Sequence, residues 1–236
     1  MSFILLTGSS RGIGAATHQL LKSRGCAVIG HRTADAGPDE VAADFRDPMA
    51  AQMLWEQALE RAGGAIDVLI NNAGLFESNR IDRSDIEWLD AWEDTLRINL
   101  TAAAQLSRLA VRHWQKRGVP GRLVHVASRA AYRGDSPAHW HYAAAKGGMV
   151  AMHKSIARGF ASEGILSFAV TPGFTDTSMA GDYLESRGGP GLLADIPLGR
   201  VAEPEEIARV IAFCALDAPP SMTGAVIDAN GASFVR

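Results

Sequence analysis

The sequence has only two cysteines in 236 residues, Cys26 and Cys214, and they form no CxxC pair. That excludes a cysteine-built metal cluster, allows at most one disulfide and fits a reducing cytoplasm. A charge excess is also missing: 23 Lys and Arg stand against 26 Asp and Glu, so nothing marks a nucleic acid or other polyanion as partner. No apolar run approaches membrane-spanning length, and residues 3–6 are too short an apolar stretch, without a preceding basic one, for a signal peptide. The expectation is an unprocessed chain without a membrane partner. Internal repeats and linkers rich in Gly, Pro or Ser are absent too. What is present is apolar material, 47% of the residues. At this length one domain over residues 1–236 buries roughly 70–75% of its unfolded surface.

Short apolar runs alternate with segments of helical period. Strands are predicted at 3–7, 26–30, 66–71, 122–127, 165–170 and 225–228, with a further one ending at Asp44. Helices are predicted at 15–24, 49–61, 88–117, 140–162 and 204–216. Strands that read as unbroken hydrophobic runs are covered on both faces. The pattern predicts an α/β fold of Rossmann type, a doubly wound sheet of about seven parallel strands with helices on both faces. Ligands would gather beyond the strand C-termini, where strand order reverses. The glycine-rich stretch 178–197 follows a strand end, where a substrate lid would sit.

Directly after the first strand comes Thr7-Gly8-Ser9-Ser10-Arg11-Gly12-Ile13-Gly14, with a helix following at once. Side chains are absent at Gly8, Gly12 and Gly14, so backbone N–H groups can approach a pyrophosphate, which the helix N-terminus favours. No Gly-Lys-Ser/Thr follows, so this is not a P-loop. The TGxxxGxG spacing resembles the nucleotide loop of the short-chain dehydrogenase/reductase family. Other segments match in order: Asn71-Asn72-Ala73-Gly74 is similar to the family's NNAG, Tyr142-xxx-Lys146 to its YxxxK, and Pro172-Gly173-Phe174-Thr175-Asp176-Thr177 to its PGxxxT. Ser128 stands where the catalytic serine belongs, and Asn99 matches the helix asparagine.

The resemblance implies a catalytic set of Asn99, Ser128, Tyr142 and Lys146. Tyr142 and Lys146 are four apart on a predicted helix, so both project from one face. A phenol with a pKa of about 10 exchanges protons poorly at neutral pH. An ammonium about 4.5 Å away at an effective dielectric of about 20 contributes about 3.7 kcal/mol, which predicts a phenol two to three units more acidic. Ser128 is expected to hydrogen-bond the reacting oxygen, and Asn99 to hold a water linking Lys146 to solvent. No metal is required. His139-x-His141 lacks further ligands, and His125 with Ser128 lacks the GxSxG elbow of a hydrolase. His139, Trp140 and Tyr132 are expected at the substrate mouth.

By the same resemblance the nucleotide is held by Gly8, Ser10, Arg11, Gly12, Ile13, Gly14, Arg32, Asp44, Asn72, Ala73, Gly74, Tyr142, Lys146, Pro172, Gly173, Thr175 and Thr177. Arg32 occupies the position where an acid would select NAD(H), and Arg11 adds a second guanidinium, so NADP(H) is favoured. Asp35 competes but lies in a turn-like stretch. The expected partner is a small carbonyl or alcohol substrate. The C-terminal pattern is nearest to 3-oxoacyl-(acyl-carrier-protein) reductases. Arg108, Arg112, Lys116 and Arg117 would offer a landing patch for an acidic carrier, though Glu163 opposes it and a solvated helix face reads equally well. The family also implies a homo-oligomer, dimer or tetramer. The rival reading is a catalytically idle nucleotide-binding or sensing protein on the same fold.

Overall fold

Alternate residues of each central strand face opposite helix layers, because successive side chains on a strand point to opposite sides. The computed structural model describes residues 2–177 and 189–236. Seven strands, β1 (Phe3–Leu6), β2 (Ala27–Arg32), β3 (Glu40–Ala42), β4 (Val68–Asn71), β5 (Gly121–Val126), β6 (Ile165–Pro172) and β7 (Val226–Ala229), pair in parallel in the order β3-β2-β1-β4-β5-β6-β7. This is the doubly wound sheet that the sequence predicts.

On one face Leu5, Leu69 and Leu123 pack with Leu54 and Trp55 of α2 (Ala50–Arg61) and with Leu106 and Trp114 of α4 (Ala102–Arg117). On the other, Ile4, Leu6, Val68, Ile70, Val124 and Val126 meet Leu21 of α1 (Gly12–Ser23) and Ile207 and Ile211 of α8 (Pro204–Ala212). Each fully buried Leu or Ile contributes about 1.5–3 kcal/mol. Register is therefore firm, since a one-residue slip would exchange the two faces.

Differences from the sequence reading lie at element ends: β2 runs on to Arg32, and β3 stops at Ala42, two residues short of Asp44. The single helix expected over 88–117 is two: α3 (Asp85–Leu96) begins at a Ser84–Glu87 capping box, and a π turn at Arg97–Thr101 joins it to α4. A short α5 (Ala130–Arg133) follows Ser128, and α6 (Trp140–Phe160) carries Tyr142 and Lys146. Of the lid stretch, 178–188 lies outside the described residues. The remainder holds α7 (Gly189–Ala194) and the buried Ile196. Both cysteines are free, and among the described residues no helix is long and apolar enough to cross a membrane. Strand order reverses between β1 and β4, and a cleft lies beyond the C-terminal ends of the strands there.

Candidate active site

That cleft, about 780 Å³, is lined by the glycine loop, the ends of β2, β4, β5 and β6, and Tyr142 and Lys146 of α6. Thr7 at the end of β1 fastens its middle: its Oγ1 accepts from the backbone N–H of Asn72 and of Ala73, both at 2.9 Å. Asn72 Nδ2 returns to the carbonyls of Thr7 and Gly8 at 2.9 and 3.0 Å. The glycine loop is thus bonded across the switch point to the strand beside it.

The loop leaves a space only glycine allows. Gly8 and Gly12 hold φ of +66° and +51°. A Cβ on Gly14 would stand 1.8 Å from the carbonyl oxygen of Gly8, and one on Gly12 would stand 2.8 Å from Thr177 Cγ2. Helix α1 starts there with Arg11 as N-cap and no side-chain cap, so its first amides are available to an anion. These residues fit a pyrophosphate.

At the other end, Ser128 follows β5 and lines the cleft with Tyr142, where its hydroxyl lowers the pKa of the phenol. Its Oγ also accepts from the N–H of Ala130 at 3.1 Å, which fixes its rotamer. Lys146 is buried at 3% exposure and donates to the carbonyl of Val126 at 2.8 Å. Its Nζ lies 5.7 Å from the centre of the Tyr142 ring. Burial pushes the phenol up to about 12, against a smaller lowering from Ser128, and burial brings Lys146 down to about 8. The expected acidification of Tyr142 by Lys146 is therefore corrected. In the protein alone desolvation sets the direction of the phenol's shift, while the ammonium points to the Val126 carbonyl.

Asn99 departs from expectation as well. It is the one member of the expected catalytic and nucleotide-binding set that does not line the cleft. Both amide donors are spent, on the carbonyls of Leu75 and Thr95 at 3.0 Å, and Oδ1 accepts from the N–H of Leu75 at 3.1 Å. Its side chain fixes Leu75 beside Gly74. Tyr132, His139 and Trp140 are not among the lining residues either. Tyr132 stacks on Phe234 at 5.7 Å, Trp140 meets Trp88 edge-on, and His139 backs the lining residue Phe76 at 4.2 Å. His125 turns into the core, 3.3 Å from Asn71 Nδ2, with burial bringing it down to about 3, so it is no partner for Ser128.

At the loop end, Ser10, Arg11, Arg32, Asp35 and Asp44 line the cleft together. Arg32 already faces a carboxylate, Glu40 Oε2 at 3.4 Å. Asp35 sits in a bend with φ +53°, as its turn-like neighbours suggest. His31 was not predicted as a site residue. Its Nδ1 accepts from the N–H of Gly8 at 3.1 Å, Nε2 lies 2.8 Å from the carbonyl of Ala43, and the ring stacks on Phe45 at 4.4 Å. That arrangement needs a neutral ring protonated on Nε2, and burial lowers its pKa accordingly. Phe76, Arg129 and Phe174 also line the cleft unforeseen. Only the position of Arg129 beside Ser128 and of Phe174 within the Pro-Gly segment could have signalled them.

A family model described as enoyl-(acyl carrier protein) reductase matches residues 8–231. The chain is similar to the 3-oxoacyl-(acyl-carrier-protein) reductase of Haemophilus influenzae, 34% identical over 98% of this chain and 97% of the relative. The enzyme of the same name from Escherichia coli is 33% identical over 98% and 96%. A third relative, cis-4-hydroxycyclohexanecarboxylate dehydrogenase of Sinomonas cyclohexanicum, is 35% identical over 96% and 94%.

Proposed function

The chain belongs to the short-chain dehydrogenase/reductase family and is an oxidoreductase of CH–OH and C=O groups, and on that premise we propose that it reduces a small carbonyl substrate with NADP(H). One observation carries the reading: Ser128, Tyr142 and Lys146 converge at one end of a cleft whose other end is a glycine cradle. When bound, the nicotinamide supplies or accepts the hydride at that end and adds a positive charge in its oxidised form. Residues Gly8 to Gly14 would hold the pyrophosphate, Asn72, Ala73 and Gly74 the middle of the cofactor, and Pro172, Gly173, Thr175 and Thr177 its nicotinamide side. Arg11 and Arg32 beside Ser10 support NADP(H) through bidentate pairing with a 2′-phosphate.

Tyr142 enters the reaction protonated, since burial holds its proton, and a phenol is the form a reduction consumes. Its O–H donates to the carbonyl oxygen of the substrate, and Ser128 Oγ–H steadies the same oxygen as charge develops. Lys146 sits behind the phenol and would bind the ribose. Asn99 positions Leu75 and Gly74 along the same wall.

A 3-oxoacyl thioester is the second reading, favoured by the names of two relatives. The helix residues Arg108, Arg112, Lys116 and Arg117 would receive its carrier, and all four are exposed. A homo-oligomer, a single nucleotide-binding domain and a cytoplasmic setting suited to two free thiols complete the proposal. The test is a panel of ketones, quinones, sugars and 3-oxoacyl thioesters followed by NADPH and NADH absorbance. Turnover with NADPH preference is expected. Silence across the panel would return the idle nucleotide-binding reading, and a clear NADH preference would remove the roles of the two arginines.

A further inference from the structure

One imidazole joins the glycine loop to the end of β3. His31 is buried near the end of β2 and lines the cleft with Gly8, Ala43, Asp44 and Phe45. Its Nδ1 accepts from the N–H of Gly8 at 3.1 Å, and its Nε2 lies 2.8 Å from the carbonyl of Ala43. The His31 carbonyl in turn accepts from the N–H of Ser9 at 2.9 Å. Phe45 stacks on the ring at 4.4 Å with the planes 20° apart.

Both ring partners are backbone groups whose roles cannot change. An amide N–H only donates and a carbonyl only accepts, so the ring must be bare on Nδ1 and protonated on Nε2. A second proton has only Nδ1 to go to, where it would face the Gly8 N–H, donor against donor. Turning the ring over presents C–H groups to both partners and loses both bonds. Gly8 is the residue whose carbonyl Asn72 Nδ2 already holds at 3.0 Å, so the imidazole fixes the other polar group of the same turn. The charged groups facing the ring are Glu40 and Asp44 on the β3 side, which favour a proton on it, while Arg11, Arg32 and Arg46 line the same cleft. Burial is the larger influence and keeps the ring neutral to a pH below histidine's ordinary 6.5.

We propose that His31 is a positioning residue for the nucleotide: its neutral ring locks the glycine loop to the end of β3, and affinity for the nucleotide is lost as the ring takes up a proton. The inference rests on the nucleotide reading of the cleft.

Calorimetric titration with NAD⁺ and NADP⁺ from pH 8 to pH 5 tests it, and NAD⁺ is the cleaner probe because a 2′-phosphate itself titrates at about pH 6. Wild-type affinity for NAD⁺ is expected to hold down to about pH 6.5 and then to fall by about fivefold or more, the worth of one lost hydrogen bond. His31→Leu should bind weakly throughout and show no such step. In His31→Asn the amide Oδ1 takes the place of Nδ1 and does not titrate, so part of the affinity that His31→Leu loses should return, again without the step. A wild-type profile that is flat or rises toward pH 5 overturns the proposal, as does an equal step in His31→Asn. Long-range proton–nitrogen NMR correlation on the wild-type protein reads the tautomer directly, and a proton on Nδ1 of His31 at pH 7.5 overturns the proposal whatever the variants do. If neither variant folds, the tautomer and the wild-type profile decide. Binding of neither nucleotide at any pH removes the nucleotide reading and this proposal with it, whereas binding that is indifferent to His31 keeps that reading and removes the proposal alone.

Discussion

Lys146 donates to the carbonyl of Val126 at 2.8 Å, so the ammonium one helical turn from Tyr142 is anchored to the sheet and not to the phenol. Burial takes this lysine from its ordinary 10.5 to about 8. Between about pH 8 and 10.5 the unfolded chain keeps a proton that the folded chain has shed, so folding stability rises with pH across that window. Below pH 8 the cost of the buried charge is present in full, about 3 kcal/mol from the size of the shift. Tyr142 acts in the opposite sense only above about pH 10, because burial keeps its folded pKa at about 12. Urea midpoints at pH 8, 9 and 10 should therefore climb for the wild type and climb less for Lys146→Met. Parallel curves for the two proteins would show that Lys146 remains charged when buried.

Turnover should divide by role at the Ser128–Tyr142 pair. Tyr142→Phe removes the only proton that the phenol delivers and keeps the ring against Phe76, 4.8 Å away, so kcat is expected to fall by about 10³-fold or more. Ser128→Ala removes one donor to the developing oxyanion and should cost about 10²-fold in kcat. NADPH affinity is expected to stay within a few-fold in both, because neither side chain carries the pyrophosphate. Steady-state kinetics with direct nucleotide titration separates the two effects. Affinity that falls along with kcat would place Tyr142 in cofactor binding alone.

The glycine cradle makes a sharper structural prediction. In Gly14→Ala the new Cβ would stand 1.8 Å from the Gly8 carbonyl oxygen, and that neighbour is backbone already tied to Asn72. The loop must move, so nucleotide affinity should fall by more than about 100-fold and the melting temperature should drop. Gly159→Ala is the counterpart: it lies on α6 with nothing within 4 Å of the added carbon. Removing a helical glycine there should stabilise by about 0.4–1 kcal/mol. Thermal melts with and without NADPH check both, and unchanged affinity in Gly14→Ala would mean that the loop does not hold phosphate.

Most of the framework was legible because it rests on local signals. The apolar runs around Ile4, Leu69, Val124 and Phe168 read as buried strands, and the glycines after β1 marked the turn. What escaped depends on contacts between distant segments. The capping box at Ser84 moved a helix start, and the π turn at Asn99 broke a continuous apolar period. The role of Asn99 could not be read from its position, since its amide is taken by Leu75, 24 residues away. The acidity of Tyr142 was misjudged because spacing reports that a lysine is near, not that its ammonium faces Val126 in a dry interior. His31 and Arg129 were hidden for a related reason: nothing in a lone histidine or arginine reveals the Gly8 amide or the Phe174 ring it will meet.

Nucleotide choice should depend on a residue outside the cleft. Glu40 opens β3, with its side chain at 16% exposure, and its carboxylate accepts from Ser9 Oγ at 3.1 Å and from the N–H of Gly37 at 3.3 Å while facing Arg32 at 3.4 Å. Burial pushes this carboxyl up, but the Gly37 N–H, the Ser9 hydroxyl and Arg32 together hold it below the ordinary carboxylate range, so it is ionised at neutral pH. An ionised Glu40 competes with a 2′-phosphate for Arg32 and also repels it. Glu40→Gln keeps one acceptor oxygen for the Gly37 N–H, turns its amide nitrogen as a donor toward Ser9 Oγ, and removes the charge. A partly exposed pair of this kind is worth up to about 1 kcal/mol, which sets the expected gain in NADPH affinity at about two- to fivefold with little change for NADH. Arg32→Ala should shift the ratio of the two affinities the other way, and in the Arg32→Ala background the gain from Glu40→Gln should shrink, since the two residues act through one pair. Dissociation constants for both nucleotides across this double-mutant cycle measure the coupling. Equal effects of Glu40→Gln on NADPH and NADH would mean that Glu40 only braces the glycine loop through Ser9 and takes no part in reading the ribose.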